Sequence, residues 1–501
     1  MSDLNLFQAF KDSAKKFEEK TALIYGSHHI PYRRLLDAVE RLANSLSKLG
    51  FIQGDRAALM LPNIPQFVIC YFALLKLGVW VIPVNTMFKE GEIGYLLEDS
   101  EAKGIIAVER YKTQVQKAVQ NLEFCHIVIF LGDNIPNWAY DLTKLIASSN
   151  PMFEDTEIDS NDTAVVLYTS GTTGRPKGAE LSHKNILAQV ESIRQVLVLE
   201  SQDTLLCALP LFHSYGQMST MNAPLVTGST VVVLSKSQAE DVAKALAEYH
   251  ISIFLGLPSM FHALNQLEVN KEDFRRLKYC ISSGAPLPDN LRSSFEEKFG
   301  KPILEGYGLT EAGPLLAIQG LEHPRKPNSV GFPTYGVQIR VVNDSNNEVP
   351  FNEVGEIAVH GHNVMKGYLN RPETSKQVLK DGCLNTGDLG KFDEDGYLYI
   401  VDRKKDLILK GGFNVYPQEV ESILFGHPKV KECAVIGVKD EIQGEEIKAL
   451  ILPKQGEKLT EEELVEYCRE RLAVYKCPKY FELVTTLPRS TAGKILKREL
   501  K

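Results

Sequence analysis

Two hydrophobic rhythms run along this chain. Over the first three-quarters of it, apolar runs of strand length alternate with longer stretches whose apolar positions recur at helical spacing. Arg56 to Leu61 reads as a strand, Pro65 to Leu77 as a helix and Val79 to Ile82 as a buried strand. Gly104 to Val108 and His126 to Phe130 read as further strands. Thr230 to Leu234 and Ile251 to Leu255 repeat the pattern, with a helix Ala239 to Tyr249 between them. Strands separated by helices predict largely parallel sheet with helices on both faces. From Val330 to Val359 the rhythm shortens to alternating strands with Gly and Asn-Asp turns, which predicts a small antiparallel or barrel-like piece. A charge-dense stretch, Asp402 to Asp406, follows the strand Tyr397 to Val401 and marks a boundary. Beyond it, a strand Glu432 to Val438 and a helix Thr460 to Leu472 fit a small α+β domain.

Composition narrows the class. A length of 501 residues suggests about three domain-sized units, and 44% hydrophobic with 24% charged residues is ordinary globular composition. Lys plus Arg number 56 against 64 Asp plus Glu, a net charge of -8 with no basic block. General nucleic-acid binding, which needs clustered cations, is not expected. The run Glu461-Glu462-Glu463 reads as a solvated helix start. The eight cysteines include no C-x-x-C pair, so neither a zinc site nor a redox dithiol is predicted, and the chain reads as reduced. The start has no basic region followed by an apolar one, so no secretory signal is expected. The apolar window Phe67 to Val84 is broken by Lys76 and Gly78 and meets Pro83, so no membrane span is expected. The end carries no anchor motif, and the expected compartment is the cytoplasm. Oligomeric state stays open, a homodimer included.

The candidate chemistry starts at Leu167-Tyr168-Thr169-Ser170-Gly171-Thr172-Thr173-Gly174-Arg175-Pro176-Lys177-Gly178. A buried strand, Ala164 to Leu167, delivers a loop of hydroxyls and glycines ending in a lysine. Glycines let backbone N–H groups approach phosphate oxygens, hydroxyls add donors, and lysine adds charge. A surface turn would also use Gly, Thr and Pro, but twelve residues of this makeup after a strand favour a phosphate loop. It is not of the Walker A kind, since no Gly-Lys-Ser/Thr closes it.

Thr169 to Lys177 resembles the signature of the adenylate-forming superfamily: acyl-CoA synthetases, firefly luciferases and peptide-synthetase adenylation domains. Further motifs of that family follow in order. They are Leu209-Pro210-Leu211-Phe212-His213, Gly306-Tyr307-Gly308-Leu309-Thr310-Glu311, Thr386-Gly387-Asp388, Asp402-Arg403-Lys404-Lys405-Asp406, Lys410-Gly411-Gly412-Phe413-Asn414 and Leu487-Pro488-Arg489-Ser490-Thr491-Ala492-Gly493-Lys494. The resemblance implies an α/β fold. It would have a large N-terminal AMP-binding domain of doubly wound sheets (1–402) with a small β-barrel-like subdomain, a hinge (403–405) and a small mobile α+β C-terminal lid (406–501).

It also implies roles. ATP would lie along Thr169, Ser170, Gly171, Thr172, Thr173, Gly174 and Lys177. Gly284-Ala285-Pro286 after Ser283 and Glu305-Gly306-Tyr307-Gly308 would wall the adenine. Thr310 would face the phosphate beside Glu311, the ligand of Mg²⁺, with Thr169 as a second metal contact. A hard oxygen next to a hydroxyl suits that ion, whereas a lone Thr-Glu pair is ordinarily a helix cap. Asp388, expected in a loop, would accept the ribose hydroxyls, and Arg403 would contact ribose or phosphate. Lys494 would bridge carboxylate and α-phosphate, although seen alone it is a solvated tail lysine beside Lys497 and Arg498. Lys405 would be the pivot. Gly411 and Gly412 would line the path of the coenzyme A thiol.

His213 lies among apolar neighbours, ordinarily a core setting, in a predicted helix-entry loop. The resemblance makes it a gate between the acyl and CoA pockets. Tyr215, Gly216, Gly256, Ser283 and Gly306 would line the acid pocket. No cation stands in Leu304-Glu305-Gly306-Tyr307, which disfavours a dicarboxylate whose second charge would lack a partner. The nearest likeness is to bacterial medium- and long-chain fatty acid:CoA ligases, with ATP, Mg²⁺ and coenzyme A as cofactors. Aryl (coumarate-like) acid:CoA ligases come second. A ligase serving a separate carrier protein, a luciferase and a degenerate nucleotide-binding scaffold are the remaining alternatives.

Overall fold

The structure, a computed structural model, describes residues 4–152, 154–169, 175–320, 323–411, 413–440, 443–489 and 495–500. The chain forms two compact units. One comprises Met1–Ile339 with Val359–Leu384, and the other Arg340–Ala358 with Asn385–Lys501.

The first unit holds two large sheets. In the nine-stranded sheet the order is Phe332–Pro333, Gly313–Ile318, Ile303–Leu309, Tyr279–Ser282, Ile253–Gly256, Thr204–Cys207, Thr230–Val233, Thr21–Tyr25 and His28–Pro31. The strands from Ile303–Leu309 across to Thr21–Tyr25 run parallel, and the outer ones turn antiparallel. The eight-stranded sheet is built likewise. Trp80–Pro83, Arg56–Met60, Gly104–Val108, Ile127–Leu131 and Tyr140–Asp141 run parallel to Thr163–Thr169, which pairs antiparallel with Lys177–Ser182. Parallel strands are buried on both faces, and that is why they read as unbroken apolar runs. Gly104–Val108 falls on the predicted residues, and the other predicted strands shift by one or two.

The helix Pro65–Lys76 opens with proline at its first position, where the missing N–H costs nothing, and is buried all round, Lys76 included. An ammonium in that setting needs partners. Lys76 Nζ lies 2.5 Å from Asp155 Oδ1, donates to the Glu154 carbonyl at 3.0 Å and stands 4.9 Å from the Phe7 ring centroid. Helix His183–Val196, closed by a Ser182–Asn185 capping box, packs against strands of both sheets. One core beneath the nine-stranded sheet is aromatic: Phe295 stacks on Phe299 at 4.1 Å and meets Phe261 edge-on at 5.2 Å. Truncating such a ring costs about 3–5 kcal/mol.

A small sheet of Val337–Val342, Gly355–Gly361, Cys383–Phe392, Leu379–Lys380 and Leu398–Arg403 answers to the expected barrel-like piece. Toward the C-terminus, a sheet ordered Phe413–Val415, Ile408–Lys410, Gly444–Pro453 and Val430–Asp440 packs with helices Pro417–Phe425 and Glu461–Arg469 around its own core. Thr460 caps the latter helix by accepting from Glu463 N, and Glu461, Glu462 and Glu463 occupy the first turn, where the helix dipole favours anions. All eight cysteines are free thiols, and only Cys477 is not buried. Among the described residues no helix is long and apolar enough to cross a membrane.

Val198, just past helix His183–Val196, has φ +44° and is 66% exposed. A β-branched residue pays there for left-handed backbone with no packing in return. Val198→Asn is expected to stabilise the first unit by about 1 kcal/mol, read as a rise in the midpoint of its thermal transition.

Candidate active site

Four neighbouring parallel strands, Thr204–Cys207, Ile253–Gly256, Tyr279–Ser282 and Ile303–Leu309, end on one edge of the nine-stranded sheet. The register aligns Gly256 with Ser282 and Ser282 with Glu305. In open α/β sheets, ligands bind beyond the carboxyl ends of the strands. The loop Leu209–His213, Gly256, Ser283 to Pro286 and Tyr307 to Glu311 all stand there. Ser283 is buried, and Gly284, Ala285 and Pro286 are exposed. Gly306 and Tyr307 belong to a strand rather than a turn, and Tyr307 is nearly buried.

The phosphate-loop stem and the Thr-Glu pair converge. Thr169 ends one strand and Lys177 begins the next, directly opposite it in the antiparallel ladder. Thr169 Oγ1 donates to Glu311 Oε1 at 3.3 Å, although 142 residues separate them. Tyr368 Oη donates to the same oxygen at 2.9 Å, and the Lys177 ammonium lies 5.2 Å from the Tyr368 ring centroid. Thr310 Oγ1 is 3.3 Å from the Ser214 hydroxyl. Glu311 follows a strand and caps no helix. Among the described residues no group of three His, Cys, Asp or Glu side chains could hold a metal ion. One carboxylate beside a hydroxyl is instead a donor set for Mg²⁺ that keeps waters and takes phosphate oxygens.

His213 is the N-cap of the short helix Ser214–Gln217, its Nδ1 accepting from Tyr215 N at 3.3 Å. By accessible surface His213 is exposed, with protein atoms crowded about its ring. That crowding lowers its pKa and keeps it neutral at pH 7. With Nδ1 accepting, the neutral ring carries its proton on Nε2. Tyr215 is buried, its Oη 3.4 Å from the Ile281 carbonyl. A methyl at Gly306 would stand 2.7 Å from Leu315 Cδ2, and one at Gly256 would stand 3.1 Å from Phe254 Cζ. Apolar side chains thus back both glycines.

In the second unit Asp388 corrects the sequence expectation: it sits inside strand Cys383–Phe392, 3% exposed, and not in a loop. It faces Arg403 across the ladder, with Arg403 Nε 2.7 Å from Asp388 Oδ1. A residue flanked by Thr386-Gly387 looks like a turn, and only the pairing with Leu398–Arg403 makes it strand. Lys405 lies in an exposed turn between Leu398–Arg403 and Ile408–Lys410, its pKa lowered by partial desolvation despite neighbouring Asp406. Gly411 follows that last strand with φ +57°. Ser170 to Gly174, Gly412 and Lys494 lie outside the described residues.

Sequence reasoning passed over Ser214 and Tyr368. Nothing local marks Tyr368, and its role comes from strand Gly367–Tyr368 pairing with Lys177–Ser182. Its one sequence signal is an aromatic hydroxyl in the polar run Lys366 to Glu373.

A mixed α/β unit that brings Thr169, Lys177 and Glu311 together beyond the carboxyl ends of parallel strands has the architecture expected of a nucleotide-binding enzyme. The family comparison agrees. Residues 10–369 match the AMP-binding enzyme family and residues 419–494 its C-terminal domain. The chain belongs to the AMP-binding enzymes and is an AMP-forming acid:CoA ligase, with ATP and coenzyme A as its co-substrates. It is 36% identical to a long-chain-fatty-acid–CoA ligase of Bacillus subtilis, over 98% of this chain and 92% of that one. It is 35% identical to a feruloyl-CoA synthase of an Amycolatopsis species, over 97% of this chain and 96% of the other. The crystal structure of ATP-bound MatB from Rhodopseudomonas palustris superposes with a TM-score of 0.93 at 32% identity, covering 100% of this chain and 98% of that one.

Glu305 supplies a pH test. Burial pushes its carboxyl up to about 7, against a donated hydrogen bond from Leu287 N and the nearby charge of Arg292, which pull it down. The fold favours the neutral acid, so this group's stabilising share is full below the ordinary value of 4.5 and lost as pH rises through about 7. Wild type is expected to lose thermal stability relative to Glu305→Gln across that window. Parallel pH profiles of the two melting temperatures would refute it.

Proposed function

We propose that the acid is a medium- or long-chain fatty acid. The observation that carries this reading is the apolar packing at the two glycines, Leu315 against Gly306 and Phe254 against Gly256, with no cation between Ile303 and Thr310. An alkyl chain loses nothing on entering such a slot, whereas a second carboxylate would be buried without a partner. The likeness to long-chain fatty acid ligases supports it. An aryl acid is the second reading, favoured by the likeness to a feruloyl-CoA synthase.

The proposed chemistry has two halves. A carboxylate oxygen attacks the α-phosphorus of ATP and pyrophosphate leaves; the thiol sulfur then attacks the acyl carbonyl and AMP leaves. Like charges meet in the first step, so cations and donors are needed where charge develops. Lys177 and the loop Ser170 to Gly174 take the phosphates, Thr310 donates to them, and Lys494 bridges carboxylate and α-phosphate. Glu311, with Thr169, would hold Mg²⁺, which neutralises phosphate charge when bound. Asp388 and Arg403 serve the ribose, and Gly284 to Pro286 with Glu305 to Gly308 wall the adenine. Neutral His213 offers an Nε2–H donor beside the acyl slot formed with Tyr215, Gly216, Gly256, Ser283 and Gly306. A functional division at 1–402, 403–405 and 406–501, pivoting at Lys405, lets Lys494 serve the first half and Gly411 and Gly412 the second. Lys405 in an exposed turn between strands supports the pivot. Eight unpaired thiols support a reducing compartment, the cytoplasm.

Coenzyme A-dependent AMP release across straight-chain, aryl and dicarboxylic acids tests the substrate. Preference for alkyl acids of six or more carbons, roughly ten-fold or greater in kcat/KM, is expected. Preference for an aryl acid moves the substrate and leaves the mechanism standing. Lys494→Ala is expected to abolish acyl-AMP formation while sparing thioester formation from supplied acyl-AMP. Equal loss of both steps would contradict the role given to Lys494.

A further inference from the structure

We propose that helix Glu90–Ser100 clamps both stems of the phosphate loop, with Asp99 and Tyr95 as positioning residues for adenylation; this rests on the phosphate reading of that loop. Tyr168, one residue before Thr169, donates from Oη to Asp99 Oδ2 at 2.8 Å. On the far stem, Tyr95 Oη donates to the Pro176 carbonyl at 2.8 Å, and the Arg175 guanidinium carbon lies 5.2 Å from the Tyr95 ring centroid. The Tyr95 and Tyr168 rings meet edge-to-face at 6.5 Å. One helix face therefore grips the chain on entry to the loop and on exit from it.

Asp99 stands where a helix does not want it. It occupies the last turn of Glu90–Ser100, which carries no basic residue, and the dipole there disfavours an anion. The Asp99 side chain is 8% exposed, and Arg371 Nη2 lies 2.5 Å from its Oδ1 while Asn370 Nδ2 donates to its carbonyl at 2.8 Å. Arg371 follows Tyr368, whose hydroxyl meets Glu311. One carboxylate thus ties the loop stem to the segment that holds the proposed metal ligand. The Thr169–Lys177 ladder pair fixes how far apart the stems are. Two side-chain anchors from outside the sheet hold those stems in place, and stems fixed beforehand spare ATP part of the cost of organising its contacts.

The clamp acts on the phosphates, so it should matter only while ATP is bound. Tyr168→Phe and Tyr95→Phe each remove one hydroxyl and keep the ring. In ATP–pyrophosphate exchange each is expected to raise KM for ATP about tenfold, with thioester formation from supplied acyl-AMP unchanged and melting temperature held. Asp99→Asn keeps an acceptor for Tyr168 and should fall between wild type and Asp99→Leu; Tyr168→Phe decides the matter where Asp99→Leu fails to fold. Less than a twofold change in both tyrosine variants, or equal slowing of both half-reactions, overturns the clamp. Lys177→Ala separates the two layers. If it impairs exchange and the tyrosine variants do not, the clamp alone falls. If neither it nor the tyrosine variants affect exchange, the phosphate reading falls with it.

Discussion

The first unit's chemistry hangs on the shared register of Thr204–Cys207, Ile253–Gly256, Tyr279–Ser282 and Ile303–Leu309. Parallel strands in register bring residues at their carboxyl ends into one row without any contact designed between them. Gly256, Ser282 and Glu305 line up for that reason. A slip of one residue would turn every side chain of a strand to the other face. The cores on those faces, such as the Phe261–Phe295–Phe299 stack, hold the register in place.

What was legible in the sequence follows from this. Strand Gly104–Val108 and helix Ala239–Glu248 were readable because burial on both faces, or on one, imprints a local period. The loop stem at Thr169 and Lys177 drew notice through its hydroxyls, glycines and lysine after a strand, and Glu311 only through the family motif around it. Asp388 was misplaced because its strand is defined by a partner, Leu398–Arg403, and not by its own apolar content. Tyr95, Asp99 and Arg371 left no trace, and Tyr368 only an aromatic hydroxyl in a polar run. Their meaning lies in partners distant in sequence, such as Tyr168 and Asp99, 69 residues apart, or Tyr368 and Glu311, 57 apart.

Charge is used sparingly inside the molecule. Lys76 is buried with Asp155 and an aromatic face, Asp99 with Arg371, and Asp388 with Arg403. Breaking such a pair leaves one ion stranded, a larger penalty than the pair's own net worth. Glu305 is the counter-example: buried with only a backbone N–H and the charge of Arg292 to favour its anion, it yields by holding its proton.

The seven buried thiols also make the chain its own stopwatch. A buried cysteine with a raised pKa reacts with an alkylating agent only when its surroundings open. Cys70, Cys207 and Cys280 lie in the helix Pro65–Lys76 and two strands of the nine-stranded sheet, whereas Cys433 and Cys468 lie around the C-terminal core. Labelling rates resolved by peptide would time how often each part of the molecule breathes, with no probe added and no residue changed.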